Sequence, residues 1–207
     1  VAENLLDVQC ISNPRREKIM KKFASAFVWT TAFLFAMATL AAAQMSMAQD
    51  KSKRPSPPAS AECKFSDGKS VKIDYSSPRA KGRKIFGTAS EKALVPYGEI
   101  WRTGANESTT FVADGNVMVG GKAVPAGSYT IFTVPKADGW TLVISKKTGE
   151  WGTDYPGEKE DLVRVPMSAS KNGPPMENFM IAFDHAGNKC TLRMSWETTI
   201  ASVEITK

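Results

Sequence analysis

Arg79, Arg83, Tyr97, Trp101, Arg102, Asn106 and Glu107 fall within one stretch of the chain, residues 76–110, and no helical or strand period orders them. A guanidinium keeps its charge and presents a planar fork of donors, so three in one loop call for carboxylates of the chain or for an anionic ligand. Aromatic walls with a few polar groups are the usual lining of small-molecule sites. These residue types describe a pocket with Tyr97 and Trp101 as walls. Arg79, Arg83 and Arg102 would select a carboxylate, phosphate or sulfate, with Asn106 and Glu107 as hydrogen-bonding partners. A second long aromatic segment, 147–161, offers Trp151 and Tyr155 as the facing wall. The structural alternative pairs Arg102 with Glu107, or with backbone carbonyls, and uses Trp101 to plug the open end of the fold.

Catalysis would draw on the same residues. Glu107 would serve as a general base if burial raised its pKa, with Arg102 or Arg79 stabilising developing negative charge. Glycosidase-type hydrolysis would also need a second acid, such as Glu99 or Asp154. Other chemistry has little to work with. His185 is the single histidine and lies in Asp184-His185-Ala186-Gly187-Asn188, a solvated turn between two strands, with no G-x-S-x-G elbow to accompany it. No ligand pair stands at metal spacing, so neither a metal nor another cofactor is expected. The leading expectation is a non-catalytic binding module for an acidic small molecule, glycan or envelope component. A hydrolase-type enzyme is the alternative, as is an envelope module that docks a protein partner through an exposed apolar face or edge strand.

The elements that must position these residues are strands. From residue 61 onward, short alternating segments are separated by Gly, Pro, Asn and Asp. Segments 62–65 and 70–75 flank Asp67-Gly68 as a hairpin, and 108–113 and 116–119 flank Asp114-Gly115 in the same way. Segment 127–135, a turn at Asp138-Gly139 and segment 140–146 follow. Near the C-terminus Phe179, Ile181 and Phe183 share one face, as do Cys190, Leu192, Met194 and Trp196 on the next strand, before a last strand over 200–206. Residues 90–95 allow one short helical turn. About nine or ten strands with one apolar face each predict an all-β fold, a two-sheet antiparallel β-sandwich with a long loop between early strands; a closed β-barrel is the alternative. Trp140, Trp196, Phe132 and Tyr129 read as core aromatics.

The N-terminal part reads as a leader. From Met20, the expected true start, a basic pair at Lys21 and Lys22 precedes an apolar run over 23–40 and then small residues up to Ala43 or Ala48. That is the pattern of a cleaved secretory signal peptide, so residues 1–48 are set apart as upstream extension and signal, 49–60 as a Pro- and Ser-rich linker, and 61–207 as a single domain. The expected location is periplasmic or extracellular, with no stable membrane insertion after cleavage. The net charge of +6 supports solubility, and without a dense basic run carrying interleaved aromatics no nucleic-acid partner is expected. Beyond Cys10 in the leader, Cys63 and Cys190 remain. An even pair in an exported chain invites a disulfide, and two thiols packed as small apolar residues are the alternative.

The loop also carries a family resemblance. Ser77-Pro78-Arg79-Ala80-Lys81-Gly82-Arg83-Lys84-Ile85-Phe86-Gly87, then Leu94-Val95-Pro96-Tyr97-Gly98-Glu99-Ile100-Trp101-Arg102-Thr103-Gly104-Ala105-Asn106-Glu107, resembles an exported bacterial family named domain of unknown function 2911. The resemblance continues through Pro125-Ala126-Gly127-Ser128-Tyr129-Thr130, Gly149-Glu150-Trp151-Gly152 and the Trp196-Glu197 strand, so it covers essentially all of 61–207. It implies an exported protein and no particular activity.

Overall fold

Alternation of apolar and polar residues builds the strands. Cys190, Leu192, Met194 and Trp196 are all buried, while Thr191, Arg193 and Glu197 between and beyond them are only partly covered. Such a strand buries one face, and its neighbours must supply the apolar surface that covers it.

A computed structural model of the chain describes residues 50–207; the leader expected over 1–48 lies outside the described residues. In chain order the strands are β1 (Pro58–Lys64), β2 (Ser70–Ser76), β3 (Phe86–Gly87), β4 (Val95–Pro96), β5 (Thr109–Ala113), β6 (Val117–Val119), β7 (Lys122–Val124), β8 (Gly127–Pro135), β9 (Trp140–Ser145), β10 (Asp161–Ser170), β11 (Met176–Ala186), β12 (Lys189–Glu197) and β13 (Thr199–Thr206). Helical structure among the described residues is confined to three-residue 3-10 turns at Lys51–Lys53, Ala89–Glu91 and Glu158–Glu160. None of it is long and apolar enough to cross a membrane.

The fold is all-β, as expected. One antiparallel ladder runs β1-β2-β5-β8-β9-β10-β13-β12-β11, with β6 pairing β13 and β7, while β3 and β4 form a separate parallel pair. The two ends of the ladder come together. The chain leaving β2 lies along β11, where the Phe179 N–H donates to Pro78 O at 2.8 Å and the Ala80 N–H donates to Glu177 O at 2.8 Å. The Ser77 hydroxyl donates to Phe179 O at 2.6 Å, and the Ile181 N–H donates to the Tyr75 hydroxyl at 3.0 Å. The sheet is thus nearly closed into a barrel, which is the alternative the strand pattern left open.

Cys63 of β1 and Cys190 of β12 form a disulfide with an S–S length of 2.05 Å, and both residues are buried. The interior is strongly aromatic. Trp101, Phe86, Trp140, Phe179 and Trp196 meet with ring centroids 4.9–6.2 Å apart, mostly edge to face, while Trp101 and Trp196 stack with planes 20° apart.

Two local expectations are corrected. Asp114-Gly115 does not close a hairpin: β5 pairs with β2 and β8, and β6 crosses to β13. The Asp114 N–H and carboxylate are both taken by Ser70 of β2, at 3.0 and 2.7 Å, and this pins the end of β5 before the chain departs. Nor is 49–60 only a linker. β1 begins at Pro58, the Ser77 N–H donates to Pro57 O at 2.8 Å, and residues from Lys51 onward belong to the same compact unit as the strands.

Candidate functional site

The long loop is stitched to the sheet at Trp101, whose N–H donates to Thr133 O at 2.7 Å and whose carbonyl accepts from Thr133 N at 2.9 Å. Beyond it the backbone turns sharply. Thr103 is fully buried at φ 55°, Gly104 follows at φ 156° and Asn106 at φ 58°. A β-branched residue in the left-handed region is strained, and such strain persists only where surrounding bonds hold it. Here the Thr103 Oγ1 lies 3.1 Å from Thr133 Oγ1, and the Thr109 hydroxyl donates to Thr103 O at 2.9 Å. Gly104 is required by space as well as by angle, since a Cβ there would stand 3.0 Å from both Ser76 O and Thr109 Oγ1.

This turn forms one wall of a cleft of about 390 Å³. Arg83, Trp101, Arg102 and Tyr155, all singled out in the sequence, line it together. Phe132, Trp196, Leu94, Val95 and Ile100 add apolar surface, and Ser56 and Thr153 add hydroxyls. The guanidiniums are tethered through their Nε atoms. Arg83 Nε donates to Ala80 O at 2.9 Å and its Nη2 to Arg79 O at 2.6 Å, while Arg102 Nε donates to Gly104 O at 3.3 Å. Among the described residues no carboxylate is ion-paired with either, and no acidic residue lines the cleft. Two charges are therefore held in place, by backbone oxygens that do not neutralise them.

Tyr155 is fixed from behind. Its hydroxyl donates to Asp161 Oδ2 at 2.8 Å and accepts from Arg164 Nη2 at 2.8 Å, and its ring meets Phe132 edge-on at 5.2 Å. Burial pushes the Tyr155 phenol up, and the hydrogen bond to the Asp161 carboxylate adds to the shift.

The other sequence candidates lie elsewhere. Glu107 accepts from Arg54 Nη1 at 2.8 and 3.0 Å and from Lys51 Nζ at 2.9 Å. Arg54 first and Lys51 second hold its carboxyl down at about 2. Its partner is thus not Arg102. Asn106 Nδ2 donates to Ser56 O at 3.0 Å, so Asn106 and Glu107 both fasten the segment that brings Ser56 to the cleft. Arg79 is exposed and bridges to Asn178 of β11 through its backbone; Tyr97 is half-buried under Lys171 Nζ, 5.5 Å from the ring centroid. Trp151 bridges to Glu107 through backbone and leaves its side chain exposed. His185 is exposed at the end of β11, with Nε2 donating to Gly187 O at 2.8 Å.

Residue type alone did not point to Ser56, Phe132, Thr153 or Trp196. Trp196 and Phe132 are core residues by pattern, and each remains almost fully buried while contributing to the wall. Gly152 carried a readable signal, the Gly149-Glu150-Trp151-Gly152 motif. Among the described residues no group of three or more His, Cys, Asp or Glu is placed to hold a metal ion.

Neither a curated protein nor a solved structure matches the chain. The family described as Protein of unknown function (DUF2911) matches residues 56–205, a span that includes every residue lining the cleft, and the chain belongs to that family.

Proposed function

We propose that the protein is a non-catalytic binding module for a small acidic molecule, which it holds in the cleft between Arg83, Arg102 and the aromatic walls. The observation that carries this reading is a pair of guanidiniums lining one cleft that no acidic residue enters. The Nη donors left on the two guanidiniums match the paired oxygens of a carboxylate or of a tetrahedral phosphate. Reaction chemistry finds less support. A base at Glu107 would act away from this cleft, and a carboxyl held at about 2 is a poor proton acceptor at neutral pH. The protein is read as exported, periplasmic or extracellular. Support comes from the leader pattern over 20–48 and from the Cys63–Cys190 disulfide, a bond that persists in oxidising compartments.

Thermal unfolding in benzoate or phosphate, against chloride at matched ionic strength, tests the reading. At ligand concentrations near 100 times Kd, linkage supplies about 2.7 kcal/mol, enough to raise the melting temperature of a domain this size by roughly 5 °C or more. The rise should vanish in R102Q and shrink in R83Q. Melting that responds to neither anion in the wild type would remove the basis for the proposal.

A further inference from the structure

The lining of the cleft discriminates among acidic ligands, and the inference drawn from it rests on the anion-binding reading above. Its side-chain hydrogen-bonding groups are dominated by donors. Arg83 and Arg102 only donate, and no Asp, Glu, Asn or Gln lines the cleft. The Tyr155 hydroxyl is already committed on both sides, to Asp161 and Arg164, and the Trp196 indole N–H is committed to Glu177 O at 3.1 Å. Ser56 and Thr153 provide the remaining side-chain hydroxyls, that of Thr153 already donating to Asp154 Oδ1 at 3.3 Å. A sugar presents hydroxyls that each donate as well as accept. Buried here, most of their protons would meet no side-chain acceptor, and every unanswered donor carries a desolvation penalty.

The aromatic part of the lining is closely packed. Trp101 and Trp196 are stacked at 5.8 Å, Phe132 and Tyr155 are locked edge to face, and no methionine is present to remould the wall around a flexible chain. A volume of about 390 Å³ lies toward the small end of ligand sites. We infer that the cleft takes a compact acid whose charged group is carried on an apolar, aromatic ring, with the oxyanion on the remaining Nη donors of Arg102 and Arg83 and the ring against Trp101 and Tyr155. A sugar acid matches the charge and not the walls. A fatty acid matches the charge and would have to surrender its chain entropy against walls of packed rings.

Isothermal titration calorimetry of the purified protein with four probes tests this: 2-naphthoate, its neutral counterpart 2-naphthalenemethanol, decanoate and glucuronate. The expected result is that 2-naphthoate binds at least about tenfold more tightly than each of the other three, and that R102Q loses at least about tenfold for 2-naphthoate. The comparison of naphthoate with the neutral alcohol needs no variant, so it stands even if R102Q folds poorly. Glucuronate or decanoate binding as tightly as 2-naphthoate would overturn the ring-acid inference while leaving anion binding intact. Absence of binding by all three acids would overturn both.

Discussion

Gly152 lies so close to Arg102 that a Cβ on the glycine would stand 2.5 Å from Arg102 Cδ and 2.5 Å from Asn106 O. The Gly152 N–H also donates to that Asn106 carbonyl, at 3.2 Å. One residue thus braces the stem of a cleft arginine and joins two loops that are distant in sequence. In Gly152→Ala the new methyl meets backbone, which cannot swing aside as a side chain end can. Overpacking of this kind costs about 1–3 kcal/mol, measurable by urea unfolding. Because the displaced stem belongs to Arg102, affinity for 2-naphthoate should fall as well; destabilisation with unchanged affinity would separate the glycine from the cleft.

Glu107→Gln should loosen the N-terminal segment. Arg54 and Lys51 would lose their charged partner, but the Glu107 carboxylate is more than a third exposed, so the loss in stability at pH 7 should stay at about 1 kcal/mol or less. The pH dependence gives a sharper reading. Glu107 is lowered on folding from 4.5 to about 2, so its contribution is full above pH 4.5 and disappears as pH falls toward 2. The difference in unfolding free energy between wild type and E107Q should shrink across that window. Amide exchange over 51–57 should quicken in the variant; exchange that stays slow would mean the segment is held by other bonds.

Thr103→Val keeps the branched shape at φ 55° and removes the hydroxyl that meets Thr133 Oγ1 in the buried turn. A buried hydroxyl stripped of its partner costs about 1–3 kcal/mol, which chemical denaturation would register. Wild-type stability in this variant would show that packing and the Thr109 bond to Thr103 O hold the strained turn without the Thr103 hydroxyl.

Reducing the Cys63–Cys190 bond, or replacing both cysteines with alanine, opens a loop with a sequence separation of 127. For a loop of that size chain entropy assigns about 4–5 kcal/mol, and measured losses for native disulfides run at about 2–5 kcal/mol. Urea midpoints with and without dithiothreitol give the value directly. A change well under about 1 kcal/mol would show that strand pairing and the core, not the cross-link, hold β1 against β12.

What could be read from the chain was what is local. The alternation through Cys190, Leu192, Met194 and Trp196 announces its buried face because period two is a property of one strand. The partner of a strand is not: the Asp-Gly turn between β5 and β6 predicts that they pair, whereas the hydrogen bonds of β6 go to β13 and β7. The same division applies to the cleft. Arg83, Arg102, Trp101 and Tyr155 were visible by chemical type. Glu107 was equally conspicuous, yet its role is set by Arg54, fifty-three positions away in a stretch that composition marks as a linker. Ser56 enters the cleft through the bonds that Asn106 and Glu107 make to its segment, and Trp196 through a core strand, neither of which residue type announces.

That meeting has a consequence for how the protein is made. The seam joins Pro78 to Phe179, and the cleft draws on residues from Ser56 to Trp196, so an emerging chain holds no complete cleft until β12 has been released. Pairings this distant in sequence close late and slowly. Until they do, the outer edge of the β2 extension stands as an open template for another strand, which makes the interval before β11 arrives the period of greatest exposure to proteases and to self-association.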